Sequence, residues 1–120
     1  MASGPPVNVD ALPQMVNLIL YQGDDFFLDI AITNPDGSEF DLTGWTARAQ
    51  VRATPTDIMI MATFTASITA NVIALHLPNT ESINLAPAAV WDCELTSATP
   101  EIYTVVAGTV QTTRHVTRVP

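Results

Sequence analysis

The chain has 120 residues, 48% of them hydrophobic and 13% charged; lysine is absent, and twelve acids against Arg48, Arg52, Arg114 and Arg118 give a formal net charge of -8. That length suits one domain with one core, and the negative balance repels phosphate backbones, which sets aside nucleic acid and anionic membranes as partners. Cys93 is the only cysteine, so no intrachain disulfide is expected and synthesis in a reducing cytoplasm fits; neither a signal peptide nor an apolar run near the ~18 residues of a spanning helix is read.

Residues 1–15 carry Pro5, Pro6 and Pro13, with Val7, Val9, Leu12 and Met15 between small and polar neighbours. Proline at this density favours extended backbone over helix, so the segment reads as an extended N-terminal arm, with residues 16–120 as the domain. Residues 16–21 are apolar and β-favouring. After the break at Gln22-Gly23-Asp24, residues 25–33 set Phe26, Leu28, Ile30 and Ile32 on one face, alternating with Phe27, Asp29, Ala31 and Thr33. Asn34-Pro35-Asp36-Gly37-Ser38 then reads as a reversal, because Pro35 presets its φ, Asp36 can bond its own backbone and Gly37 accepts positive φ.

A second turn at Asp41-Leu42-Thr43-Gly44 leads into residues 45–53, where Trp45, Ala47, Ala49, Val51 and Ala53 alternate with Thr46, Arg48, Gln50 and Arg52. Residues 58–66 and 71–77 read as two further strands, the second with Ile73, Leu75 and Leu77 on one face, and residues 67–70 as the reversal between them. One helical turn is expected from Pro78 through Leu85. Residues 89–96 place Trp91, Cys93 and Leu95 inward against Val90, Asp92, Glu94 and Thr96, and residues 101–113 form a long last strand. About seven short strands joined by Gly, Pro, Asn and Asp turns predict an all-β fold, an antiparallel β-sandwich of immunoglobulin-like outline, without the Cys-Trp-Cys pattern of antibody domains.

Reactive constellations are sparse. Asp24, Asp25 and Asp29 form the densest acidic cluster, but they lack the spacing of a calcium loop and read as a solvated turn. His76, His115 and Cys93 are too dispersed to suggest zinc, and Cys93, alternating with Trp91 and Leu95, reads as core volume. Asp92 and Glu94 could imitate a catalytic carboxylate pair, yet no cleft is predicted to separate their pKa values, so both read as surface charge. No catalytic residue, metal or cofactor is therefore expected. Arg48 and Arg52, on one polar strand face, and Arg114 and Arg118 near the C-terminus are candidate partner contacts.

The phrases Tyr21-Gln22-Gly23-Asp24-Asp25-Phe26, Pro35-Asp36-Gly37, residues 41–52 from Asp41-Leu42-Thr43-Gly44-Trp45 to Arg52, Leu75-His76-Leu77-Pro78 and Val90-Trp91-Asp92-Cys93-Glu94-Leu95 together resemble the small β-sandwich domain of tailed-phage structural proteins. The resemblance spans residues 20–113. It implies a non-enzymatic virion protein made in the host cytoplasm and present in many copies or as a homo-oligomer.

The first expectation under that resemblance is a capsid decoration, or cement, protein on the major capsid protein shell, its arm reaching neighbouring subunits through Pro5, Pro6, Val7, Val9, Leu12 and Met15. The alternative is an adaptor docking tail or baseplate proteins, as similar N-terminal domains do in upper baseplate proteins. A carbohydrate-binding module would need Trp45 and Trp91 exposed, whereas the alternation turns both inward.

Overall fold

The structure is a computed structural model, and it describes residues 2–3, 7–9 and 12–117. Alternation of apolar and polar residues governs it. Four short N-terminal strands, β1 (Ala2–Ser3), β2 (Val7–Asn8), β3 (Gln14–Met15) and β4 (Leu18–Tyr21), precede β5 (Phe26–Thr33) and β6 (Thr46–Arg52). Then come β7 (Ala62–Thr63), β8 (Thr65–Thr69), β9 (Val72–Leu77), the single helical turn α1 (Asn79–Ser82), β10 (Ala88–Thr96) and β11 (Ile102–Thr113). Seven of the strands are four residues or longer, in line with the number expected from sequence.

Two sheets face each other. One runs β1-β5-β9-β8, with β2 also on β5; the other runs β3-β11-β10-β6-β7, with β4 also on β11. The central order, β5-β9-β8 against β4-β11-β10-β6-β7, is the B-E-D and A'-G-F-C-C' arrangement of an immunoglobulin-like sandwich. The inner faces carry the residues that the alternation selects: Leu28, Ile30 and Ile32 of β5, Ala49 and Val51 of β6, Ile73, Leu75 and Leu77 of β9, and Trp91, Cys93 and Leu95 of β10 are all buried. A bulge between Cys93 and Glu94 shifts the β10–β11 register, so the adjacent Val105 and Val106 are both buried.

The main ladders are antiparallel, but the N-terminal strands are not: β1 and β2 run parallel to β5, and β3 and β4 run parallel to β11. Among the described residues, β1 and β2 thus line the edge of one sheet, and β3 and β4 line the edge of the other. Parallel neighbours are joined only by long crossovers: β3 and β4 lie between β2 and β5, and the strands from β5 to β10 lie between β4 and β11.

The expected strand at residues 58–66 is corrected. Ile58, Met59 and Ile60 lie in a loop, and Ile58 is 90% exposed. The chain then changes sheet at Phe64: β7 pairs with β6, β8 with β9, and the Phe64 amide donates to the Ala49 carbonyl at 3.0 Å. A run shared between two layers cannot keep one alternation, which is why period two misreads it. The next reversal falls at Ala70 and Asn71, with Ala70 at φ 54°, and the buried Asn71 amide pins it by donating to the Ile32 carbonyl at 2.9 Å. The other two turns follow the sequence, with Gly37 at φ 88° and Gly44 at φ 83°.

Candidate functional site

Adjacent strands β6 and β10 bring the predicted polar residues together on the outer face of the larger sheet. Glu94 stands opposite Arg48, Asp92 opposite Gln50 and Val90 opposite Arg52. Arg48 Nη2 lies 3.1 Å from Glu94 Oε1, a pair too exposed to add much stability. Arg52 turns instead to the neighbouring loop, donating to the Asp57 carbonyl at 3.0 Å and to Gln50 Oε1 at 3.1 Å. Loss of water around Asp92 pushes its carboxyl above the ordinary range, and the charge of Glu94 adds to this, against the opposing pull of Arg52 and Arg48. A shallow groove of about 350 Å³ runs from Met15 past Ala107 and Val90 to Arg52 and Pro55. Its apolar floor and mixed-charge wall suit a strip of another protein better than a small substrate.

The end of the sandwich that holds the start of β6 is different. Trp45 is half-buried, edge-on to Phe40 with ring centres 5.9 Å apart and 6.0 Å from the Tyr103 ring. These rings, with Val9, Leu12 and Val105, line an apolar hollow of about 290 Å³, with Glu101 on its wall. Glu101 accepts a hydrogen bond from the Tyr103 hydroxyl at 3.0 Å, which raises the phenol pKa.

At the opposite end, Asp25 receives the Asn79 backbone amide and side-chain amide, each at 3.1 Å, and lies 3.0 Å from His76 Nε2. The hydrogen bond with His76, then that with the Asn79 side chain, holds the Asp25 carboxyl below its usual range. The His76 ring is stacked on Phe27, centres 4.3 Å apart. The carboxylate of the candidate calcium cluster is thereby used as a strap between β5 and α1, and Asp29 stands apart from it opposite Ala74. Among the described residues no group of three or more His, Cys, Asp or Glu is gathered in the manner of a metal site.

Cys93 is fully buried on the inner face, and burial, with lesser contributions from Asp92 and Glu94, pushes its thiol up to about 12. A thiol so held stays protonated near neutrality and is a poor nucleophile. Trp91 is equally inward, and its indole N–H donates to the Val16 carbonyl at 2.8 Å. Neither tryptophan offers the open aromatic platform that sugar stacking needs.

The proposed partner contacts are dispersed. Pro5, Pro6 and Arg118 lie outside the described residues, and Val7 is described as part of β2 by its backbone alone. Val9 and Leu12 pack against this chain's own core, Met15 is 66% exposed on the groove, Arg48 and Arg52 share that outer face, and Arg114 is exposed at the helix end. Sequence reasoning missed the aromatic hollow and the apolar loop tip Ile58-Met59-Ile60. The second had a signal, an apolar run directly after Pro55 and Asp57; the first joins residues from five separated segments and had none.

No protein-family model matches the chain, and no curated protein matches its sequence. Among solved structures, the N-terminal domain of phage TP901-1 ORF48 matches with a TM-score of 0.58 at 7% sequence identity, over 93% of this chain and 98% of that one. At that identity the likeness is one of fold: the two share a β-sandwich across nearly their whole lengths.

Proposed function

We propose that this chain is a non-enzymatic structural domain of a tailed-phage particle whose work is to hold other protein chains. The observation that carries the reading is the near-complete overlap of the fold with a domain of a phage protein, in a chain whose own phrases, from Asp41-Leu42-Thr43-Gly44-Trp45 to Trp91-Asp92-Cys93-Glu94-Leu95, resemble phage structural domains. The engaged Asp25, the buried Cys93 and the shallow groove support the non-enzymatic part.

Of the two placements, the adaptor of tail or baseplate proteins is favoured over the decoration of a major capsid protein shell. Decoration relies on an arm that reaches across neighbouring subunits, whereas Val9 and Leu12 are laid against this chain's own core. The matched solved domain, moreover, is an N-terminal domain of its phage protein, as are the upper baseplate domains that the sequence phrases resemble.

Quantitative mass spectrometry of separated heads and tails tests the proposal. A small multiple of three or six copies in the tail fraction is the expected result. Hundreds of copies on heads would move the domain to the capsid, and its absence from both fractions would overturn a virion role.

A further inference from the structure

The aromatic hollow has a one-sided electrostatic setting. Around that end of the sandwich stand Asp36, Glu39, Asp41 and Glu101, all exposed. Asp36 and Asp41 accept bonds from the side chains and backbone amides of Ser38 and Thr43, which lower their pKa values and keep both ionised at neutral pH. The nearest arginine on the adjoining strand, Arg48, is held by Glu94. An occupant of the hollow must therefore offer an apolar side chain flanked by cations.

The chain carries such a segment at its other end. Two of its four basic residues, Arg114 and Arg118, fall in residues 114–118 on either side of Val116, and no acid lies among them. Arg114 is exposed and Val116 is 88% exposed. The segment follows β11, whose start at Tyr103 lines the hollow, so segment and hollow sit at opposite ends of one strand. Residues 103–113 at about 3.3 Å each carry the chain ~33 Å away from the hollow. Five further residues reach back at most about 17 Å. A segment cannot enter the hollow of its own chain.

We propose that residues 114–118 of one copy dock in the Trp45 hollow of a second copy, Val116 seated among Leu12, Trp45 and Tyr103 and the arginines facing Glu39 and Glu101. The contact is heterologous, each copy giving its segment to one neighbour and its hollow to another, so the chain forms rings or open rows instead of two-fold dimers. It does not depend on where in a particle the protein resides.

The test is sedimentation velocity of the full chain and two charge-reversed variants, R114E/R118E and E39K/E101K, over a range of protein and salt concentrations. The wild-type chain is expected to associate more weakly as salt rises, and each variant alone to lose at least about tenfold in affinity. An equimolar mixture of the two variants should recover association, because the natural segment of one meets the natural hollow of the other and the reversed segment meets the reversed hollow. The mixture also reports that both variants are folded. Val116→Ser, at an exposed position, should weaken association with no change of charge. A wild-type chain that stays monomeric at millimolar concentration, variants that associate like wild type, or a mixture that fails to pair would each overturn the proposal.

Discussion

Strand β11 has two neighbours, and they hold it by different means. On the β10 side the antiparallel ladder continues along Ala88–Thr96 with one bulge, and Cys93, Val106 and Leu95 bury the inner face. On the β3 and β4 side the pairing is parallel and breaks at Val16 and Asn17. There Val16 N donates to the Ala107 carbonyl at 3.0 Å, Asn17 Oδ1 accepts the Thr109 amide at 3.0 Å, and the Val16 carbonyl turns inward to the Trp91 indole. Gly108 makes this possible: a Cβ there would collide with the Val16 carbonyl oxygen and lie 2.9 Å from Asn17 Oδ1. One flank is fixed by a long ladder and distributed burial, the other by a shorter ladder, the buried Leu18 and Leu20, and a close approach that one glycine permits. The first should yield gradually to substitution and the second abruptly.

The sharpest way to break that contrast is Gly108→Ala. The obstructing atoms are backbone, so the N-terminal strands must move, and a loss of about 3 kcal/mol or more is expected in denaturant unfolding, with faster hydrogen exchange at Leu18 and Leu20 than at Trp91 and Cys93. Uniform exchange across both flanks would show that they unfold together. Trp91→Phe keeps a ring in the core but leaves the Val16 carbonyl unpaired, which should cost about 2 kcal/mol and raise exchange on the same flank.

Thr112 supplies a change of opposite sign. Among the described residues its buried hydroxyl has no hydrogen-bond partner, so Thr112→Val is expected to stabilise by about 1 kcal/mol, read as an upward shift in the unfolding midpoint. The β10 flank is probed most gently through Cys93. Its thiol is held near 12 when folded against an ordinary 9.0, so the unfolded chain loses that proton first. The contribution of Cys93 to stability should be level below pH 9 and fall between about 9 and 12, and Cys93→Ala should lose that part of the alkaline slope while keeping the part that the raised phenol of Tyr103 supplies. A folded protein whose thiol reacts readily with a disulfide reagent at pH 8 would contradict the burial.

Much of this architecture was legible in the sequence. The alternations of residues 25–33, 71–77 and 89–96 selected the inner faces that the structure shows, and Pro35, Asp36, Gly37 and Gly44 placed their turns through local backbone chemistry. What escaped depends on distant partners. That Phe64 changes sheets is set by the Ala49 carbonyl, and that residues 14–21 pair parallel to β11 is set by contacts from the far end of the chain, neither of which leaves a periodic mark. The candidate surfaces divide in the same way: the outer-face position of Arg48, Arg52, Asp92 and Glu94 follows from strand parity, while the hollow at Trp45 arises only when five segments meet.

The pairing of Gln14 with Val106 joins residues 92 positions apart in the chain. On a ribosome adding about 5–20 residues each second, β3 and β4 therefore wait on the order of 5–20 s for the strand they dock on. Through that interval Leu18 and Leu20 have no sheet to enter, and this stretch of the nascent chain is the one most open to capture by a chaperone or by another copy. Birth order thus runs opposite to closing order for this pair: β3 and β4 are made before β5 yet seated only after β11, whereas β1 and β2 find β5 soon after they emerge.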